Sequence, residues 1–168
     1  MKLIIANWKS HKTREDVQKW IEVFEEKSDQ LPTGIEVAIA PPMPSLMFVS
    51  NRLLAKDKHS QTKLAVQDLS PFPAGAYTGA VSTTNLVGFG VKYAIVGHSE
   101  RRRYFHETHQ DVANKVAQAI DNNITPIVCV DDEYIADQAA AIDRQYLDKC
   151  MVAYEELGAI GTGHSESV

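Results

Sequence analysis

Residues 93–102 have the sequence Tyr-Ala-Ile-Val-Gly-His-Ser-Glu-Arg-Arg, in which an apolar run leads through a glycine into a polar segment. The run Tyr93–Val96 is typical of a buried strand, because its side chains are consecutively apolar or aromatic. The polar segment begins with His98 and predicts a loop that passes into a helix. An imidazole is therefore expected at the C-terminal end of a strand.

A second stretch, further along the chain, has the same organisation. The apolar run Cys150–Tyr154 ends at the carboxylate of Glu155, and Gly161-Thr-Gly163 follows as a segment whose backbone amides can bind a phosphate. In a parallel barrel, the C-terminal ends of all strands lie on the same face. His98 and Glu155 are therefore expected to converge, although they are far apart in the sequence.

Six short runs rich in Ile, Val and Ala recur along the chain, with helical patterns between them. They are Leu3–Ala6, Ile35–Ala40, Lys63–Gln67, Tyr93–Val96, Ile124–Val130 and Cys150–Tyr154. Their starts lie about 30 residues apart, the size of a βαβ unit, and near-continuous apolar runs are typical of parallel strands covered on both faces. Thr13 and Thr108, each followed three residues later by an aspartate, predict the N-terminal caps of two helices.

Six βα units predict an α/β fold, either a barrel or a doubly wound sheet. A dinucleotide-binding doubly wound sheet is disfavoured because no Gly-x-Gly-x-x-Gly sequence follows the first strand. We therefore expect a (β/α)₈-type barrel. Such a barrel takes about 250 residues. The 168 residues predict a barrel truncated to about six βα units, as a single, C-terminally incomplete domain over residues 1–168.

Composition and charge exclude several classes of protein. Hydrophobic residues make up 44% of the sequence and charged residues 23%, which is typical of one soluble domain. The net charge of −5 provides no basic surface for nucleic acid. No apolar stretch is long enough for a signal peptide or a membrane helix, so we expect a cytoplasmic protein with no membrane partner. Cys129 and Cys150 lie in apolar runs, which predicts packed thiols rather than a disulfide or a metal site.

Four separated motifs occur in order along the chain. They are Ala6-Asn-Trp-Lys9, Gly75-Ala-Tyr-Thr-Gly79, Gly97-His-Ser-Glu-Arg-Arg102, and Ala153-Tyr-Glu155 with Gly161-Thr-Gly163. In these motifs and their spacing the sequence resembles the triosephosphate isomerase family. The resemblance implies a TIM barrel that interconverts dihydroxyacetone phosphate and glyceraldehyde 3-phosphate in glycolysis and gluconeogenesis. The substrate is a small phosphorylated triose, and neither a cofactor nor a metal is implied.

The resemblance also implies roles for individual residues, and this family is itself the standard example of a glutamate base beside a neutral histidine. Glu155 would remove a proton from the carbon next to the carbonyl, while His98 would donate a hydrogen bond to the substrate oxygen. Lys9 would lie near the phosphate and the developing enediolate, with Glu100 as the charged residue behind Lys9 and His98. Asn7 would orient the substrate.

The lid and the subunit contact depart from the family pattern. Glu156-Leu-Gly158 replaces Pro-Val-Trp at the start of a segment that resembles the family's mobile lid, which predicts a looser open lid. Gly161 would donate a lid amide to the phosphate.

The segment Ser70–Gly79 resembles the loop that projects into a second subunit, which implies a homodimer. Ala80 stands where the family carries a glutamate, so Arg101 is expected to lose a partner there.

Three interpretations of function are open. The first is a triosephosphate isomerase. The second is a non-catalytic truncated barrel, a structural or dimerising remnant, because no residues correspond to the family's seventh and eighth loops. The third is a related phosphosugar isomerase, which the particular Gly97–Arg102 motif disfavours. For the 168 residues by themselves we expect exposed edges on the first and sixth strands, and little or no isomerase activity.

Overall fold

The computed structural model describes residues 2–54 and 61–156, and six strands form one parallel sheet within these ranges. The strands are β1 (Lys2–Asn7), β2 (Ile35–Ala40), β3 (Thr62–Val66), β4 (Val91–Val96), β5 (Thr125–Val130) and β6 (Met151–Tyr154). Each strand pairs in parallel with the next strand of the chain, so their order in the sheet is their order in the sequence. The predicted α/β fold is confirmed as a curled half-barrel of six strands.

Helical segments connect the strands. They are α1 (Arg14–Lys27), α2 (Leu46–Leu54), α3 (Ser99–Phe105), α4 (His109–Asp121), α5 (Ile135–Ala141) and α6 (Arg144–Leu147), with 3₁₀ turns at Ser28–Gln30, Met43–Ser45 and Thr83–Leu86. Over the described ranges, none of the helices combines the length and the apolar character needed to cross a membrane.

Local sequence explains where two of the helices begin. The Thr13 hydroxyl accepts the backbone N–H of Asp16 at 3.2 Å, and the Asp16 carboxylate accepts the backbone N–H of Thr13 at 2.9 Å. Thr108 and Asp111 form the same reciprocal cap at the start of α4. A cap of this kind stabilises a helix by about 1 kcal/mol. The predicted caps of α1 and α4 are confirmed.

The sheet buries a different apolar layer on each face. One face packs against the helices in a large buried cluster that includes Ile39 and Val96 from the sheet, Ile21 from α1 and Val116 from α4. The opposite face carries a smaller buried cluster: Ala38, Ala40, Ala65, Tyr93, Ile95, Ile127 and Cys129. Because both faces are covered, the strands are apolar at nearly every position.

An aromatic stack fixes the end of β1 against α1. The Trp8 ring is buried and lies 4.9 Å from the Trp20 ring in an edge-on arrangement, and Trp20 stacks on Phe24 at 5.0 Å. Such ring pairs contribute about 0.5–1.5 kcal/mol beyond their buried area. The stack therefore anchors the residue that directly precedes Lys9.

The first and last strands of the described sheet each have one paired edge. β1 pairs with β2 and β6 pairs with β5. Ile4 on β1 and Val152 and Tyr154 on β6 are exposed. β1 and β6 are therefore the edge strands of the sheet over the described residues.

His106 ends α3 in a left-handed conformation, with φ 54° and ψ 34°. A Cβ atom is strained in this region, whereas glycine is not. We expect His106→Gly to raise the free energy of unfolding by about 0.5–1 kcal/mol, measured by urea denaturation. Arg103→Gly, at an exposed right-handed position of the same helix, is the control and should lower that free energy by about 1 kcal/mol. A decrease with His106→Gly would contradict the strain argument.

Candidate active site

The C-terminal ends of three strands carry charged or polar side chains to one edge of the sheet. Lys9 follows β1, His98 follows β4, and Glu155 directly follows β6. The parallel hydrogen-bond ladder between β5 and β6 continues to Glu155, because its backbone N–H donates to the Val130 carbonyl at 2.7 Å. Strand pairing therefore sets the point from which the Glu155 side chain projects.

The side chains of His98 and Glu155 are in direct contact. His98 Nε2 lies 3.0 Å from Glu155 Oε1, and each side chain is 12% exposed. The other carboxylate oxygen, Glu155 Oε2, accepts the backbone N–H of Ser99 at 2.8 Å. The structure thus brings together the imidazole and the carboxylate that the sequence motifs single out.

From the geometry of its contacts we assign the His98 ring as a neutral imidazole with its proton on Nε2. Nδ1 accepts the backbone N–H of Glu100 at 3.2 Å, so it presents a lone pair. Glu100 Oε2 lies 3.6 Å from the same nitrogen, which is too far for a hydrogen bond, so the backbone donor decides the assignment. Nε2 is then the donor to Glu155. The same ring is the N-cap of α3.

Glu155 is held in its ionised form. Burial raises the pKa of its carboxyl, but hydrogen bonds from His98 and from the Ser99 backbone outweigh burial and lower the pKa below its ordinary value. Because the pKa is lower in the folded protein, ionised Glu155 adds to the free energy of unfolding above the pKa of the unfolded chain. This contribution is lost as the pH falls through the folded-state pKa.

Lys9 is held by contacts to its side chain and to its backbone. Its ammonium lies 2.7 Å from Glu100 Oε1, and its backbone N–H donates to Asn7 Oδ1 at 3.0 Å. The Gln67 side-chain amide donates to the Lys9 carbonyl at 3.0 Å. These contacts maintain Lys9 at φ 50°, a left-handed conformation that costs about 1–2 kcal/mol for a residue with a Cβ atom.

Comparison with known proteins identifies the family. A family model described as Triosephosphate isomerase matches residues 2–168. The chain belongs to the triosephosphate isomerase family. Proteins named triosephosphate isomerase are similar to it in Mesomycoplasma hyorhinis, at 38% identity over 96% of this chain and 70% of the relative, and in Dictyoglomus turgidum, at 36% over 98% and 70%. The relative in Symbiobacterium thermophilum is 34% identical over 97% of this chain and 68% of its own length.

The remaining residues assigned by the triosephosphate isomerase resemblance fall into two groups. Asn7 is the last residue of β1, and its side chain accepts the Lys9 backbone N–H. Gly161 lies outside the described residues, as do Leu157 and Gly158 of the lid segment. Over residues 2–54 and 61–156, no set of three His, Cys, Asp or Glu side chains is grouped so that it could hold a metal ion.

Arg101 has two carboxylate partners within the chain, and the alanine at position 80 offers it none. Its guanidinium lies 2.9 Å from Asp68 Oδ2 and 2.7 Å from Glu107 Oε2. Sequence reasoning missed Asp68, although it lies in the first turn after β3. His98 was singled out because it follows the end of a strand. Asp68 follows a strand end too, so the same criterion identifies it.

Arg102 joins the turn after β4 to the turn after β5, a role that sequence reasoning also missed. Its guanidinium donates to the carbonyls of Gly97 and Cys129, each at 3.0 Å, and it pairs with Asp131. The same group lies 3.9 Å from the centre of the Tyr134 ring.

Burial raises the pKa of the Cys129 thiol to about 12, so the thiol stays protonated beside the site.

One substitution tests how the triosephosphate isomerase site keeps Glu155 ionised. Ser99 is the first residue of α3, where the helix does not need an N–H and proline is tolerated. His98 has φ −53° and ψ 139°, which is compatible with a following proline. Ser99→Pro removes the backbone donor to Glu155, so the pKa of Glu155 should rise toward its ordinary value in a carbon-13 NMR titration.

Ser99→Ala is the matched control, because it changes the side chain and keeps the backbone N–H. The pKa of Glu155 should rise less in this variant than in Ser99→Pro. Equal pKa values in the two variants would contradict the role of the backbone donor.

Proposed function

We propose that this protein is a triosephosphate isomerase, which interconverts dihydroxyacetone phosphate and glyceraldehyde 3-phosphate in glycolysis and gluconeogenesis. The family match and the names of the relatives support this reaction. The observation that carries the proposal is the 3.0 Å contact between the neutral imidazole of His98 and the ionised carboxylate of Glu155. Proton transfer beside a carbonyl needs such a pair, an uncharged hydrogen-bond donor and a charged base.

Glu155 is the proposed base. In the structure its carboxylate binds the donors of His98 and Ser99. A substrate carbonyl oxygen that takes over the Nε2–H of His98 frees the carboxylate to face the neighbouring carbon. The carboxylate removes a proton from that carbon and delivers it to the adjacent one. His98 Nε2 gives its proton to the carbonyl oxygen of the enediolate and takes the proton of the neighbouring hydroxyl, whose carbon becomes the new carbonyl.

His98 and Lys9 are proposed to stabilise the negative charge that develops on the substrate. The proton on His98 Nε2 points to the enediolate oxygen, because Nδ1 is occupied by the Glu100 backbone. The Lys9 ammonium adds positive charge at the same edge of the sheet, and its pairing with the Glu100 side chain orients it. Asn7 is proposed to orient the substrate and Gly161 to donate an amide to the phosphate. The proposed reaction uses no cofactor.

A homodimer and a cytoplasmic location are further parts of the proposal. The loop Ser70–Gly79 carries Phe72 and Tyr77, which are 42% and 45% exposed and whose rings stack at 4.6 Å between centroids. Exposed aromatic side chains of this kind are common anchors of protein interfaces. The location follows from the proposed glycolytic reaction.

A coupled isomerase assay tests the proposed reaction. Turnover is measured for the 168-residue chain and for the same chain continued by the remaining βα units of a curated relative. Conversion that Glu155→Gln removes would support the isomerase. If neither form converts glyceraldehyde 3-phosphate, the non-catalytic barrel is favoured. The difference between the two forms tests the prediction that the 168 residues alone have little activity.

Shortening the base by one methylene should slow the reaction without weakening substrate binding. Glu155→Asp is expected to lower kcat by about 10²-fold in an active form, because misplacing a reacting group by about 1 Å costs that much. KM should change far less. Glu133→Asp makes the same change at an exposed residue after β5 and should leave kcat unchanged. Full kcat in Glu155→Asp would exclude the proposed role.

A charge on the proposed dimer loop should separate the subunits. Phe72→Asp is expected to shift the mass measured by light scattering from two chains toward one, because a buried unpaired carboxylate destabilises an interface. Val23→Asp, at an exposed apolar residue of α1, is the control and should leave the mass unchanged. A single-chain mass for the unchanged protein would contradict the proposed dimer.

A further inference from the structure

Two consecutive residues after β3 contact the elements that carry the proposed active site. The Gln67 side-chain amide donates to the carbonyls of Lys9 and Ala40, at 3.0 and 2.8 Å. The Asp68 carboxylate contacts α3 instead, where its Oδ2 lies 2.9 Å from the Arg101 guanidinium. The end of β3 therefore holds both the end of β1 and the start of α3.

Asp68 belongs to a cluster of four charged side chains. Its Oδ1 lies 2.6 Å from the Lys115 ammonium. Glu107 pairs with both cations, at 2.7 Å from Arg101 Nε and 3.0 Å from Lys115 Nζ. The Lys115 and Glu107 side chains are only 4% and 3% exposed. Two positive and two negative charges balance within one chain, so loss of the Asp68 charge leaves a buried positive charge uncompensated.

Arg101 connects this cluster to the catalytic edge. It lies in the first turn of α3, and its backbone N–H donates to the His98 carbonyl at 2.8 Å. Glu100, the preceding residue, pairs with Lys9. Because His98, Glu100 and Arg101 all lie in the N-cap and first turn of α3, a displacement of Arg101 moves His98 and Glu100 as well.

Asp68 is the member of the cluster that lies just after a strand of the sheet, β3. Glu107 lies between α3 and α4, and Lys115 lies on α4, so both belong to the same chain segment as Arg101. Their ion pairs fold that segment onto itself. The pair between Asp68 and Arg101 instead fixes the segment relative to β3, and β3 also fixes Lys9 through Gln67.

Building on the proposed isomerase function, we propose that Asp68 is a positioning residue of the active site. Its carboxylate holds Arg101 against the end of β3, which places α3 so that His98 meets Glu155 and Glu100 meets Lys9. Asp68 acts through Arg101 and does not touch the substrate.

The surroundings of Asp68 allow the carboxylate to be tested by substitution. Its side chain lines a cleft of about 410 Å³ that is also bordered by Met43 and Ala80, so a longer glutamate can be accommodated. Burial raises the pKa of the Asp68 carboxyl, while Lys115 and Arg101 act in the opposite direction. An asparagine keeps the shape of the side chain and removes its charge.

Amide hydrogen exchange of the full chain, followed by NMR, measures the placement of α3. Asp68→Asn is expected to accelerate exchange at the Ser99 and Glu100 amides by about tenfold relative to the β5 amides, because a charged hydrogen-bond partner of Arg101 is lost. Asp68→Glu should stay close to the unchanged chain. Glu36→Gln removes a buried carboxylate that pairs with Tyr93, and it should leave the relative exchange at Ser99 unchanged.

Turnover provides the second readout. In an active form, Asp68→Asn should lower kcat by about tenfold with little change in KM, since misplaced catalytic groups slow the chemical step. Asp68→Glu should restore most of kcat. Arg101→Lys keeps the charge but loses the planar fork, and it should accelerate exchange at Ser99 even if Asp68→Asn does not fold.

Three results would overturn the positioning role. They are unchanged relative exchange at Ser99 in a folded Asp68→Asn or Arg101→Lys variant, exchange in Asp68→Glu as fast as in Asp68→Asn, and acceleration at the β5 amides equal to that at Ser99. The last result would indicate general destabilisation. Absence of turnover in both the 168-residue chain and its extended form would contradict the proposed reaction, while the exchange comparison would still decide whether Asp68 places α3.

Discussion

Parallel pairing of neighbouring strands in sequence order is the constraint on which the site depends. Every strand runs in the same direction, so the residues that follow β1, β3, β4 and β6 reach the same edge of the sheet. The ladder continues into the backbone of Glu155 through Val130. A slip of one residue between β5 and β6 would turn the Glu155 side chain toward the other face and separate it from His98.

The turn after β4 places the His98 imidazole at the start of α3 and determines which of its nitrogens carries the proton. Gly97 has φ 69°, and a Cβ atom there would lie 3.1 Å from the Val112 side chain, so glycine lets the chain pass directly into α3. His98 then caps the helix through Nδ1, which leaves its proton on Nε2, facing Glu155. One hydrogen bond therefore both starts the helix and selects the tautomer.

Much of the fold could be predicted from sequence because its signals are local. The run at residues 35–40 matches β2 at both ends, and the caps of α1 and α4 depend on pairs of residues three positions apart. β4 begins at Val91, ahead of the predicted Tyr93, because the polar Lys92 interrupts the apolar run while its backbone continues the ladder. His98 and Glu155 were predicted together because each follows an apolar run.

The contacts that support the site were harder to predict because they depend on distance in space. Gln67 binds the carbonyl of Lys9 across 58 positions, and nothing in either local sequence specifies that pairing. The pairing of Arg101 with Asp68 was not predicted for the same reason, since Asp68 reaches Arg101 only after β3 and β4 have paired.

We infer that the fold holds His98 as a neutral imidazole with its proton on Nε2, in contact with ionised Glu155. Nitrogen-15 NMR of the chain labelled at histidine, with His98 assigned by its loss in His98→Gln, tests this most directly at neutral pH. We expect a protonated Nε2 with an attached hydrogen and an unprotonated Nδ1. A proton on Nδ1, or on both nitrogens, would contradict it.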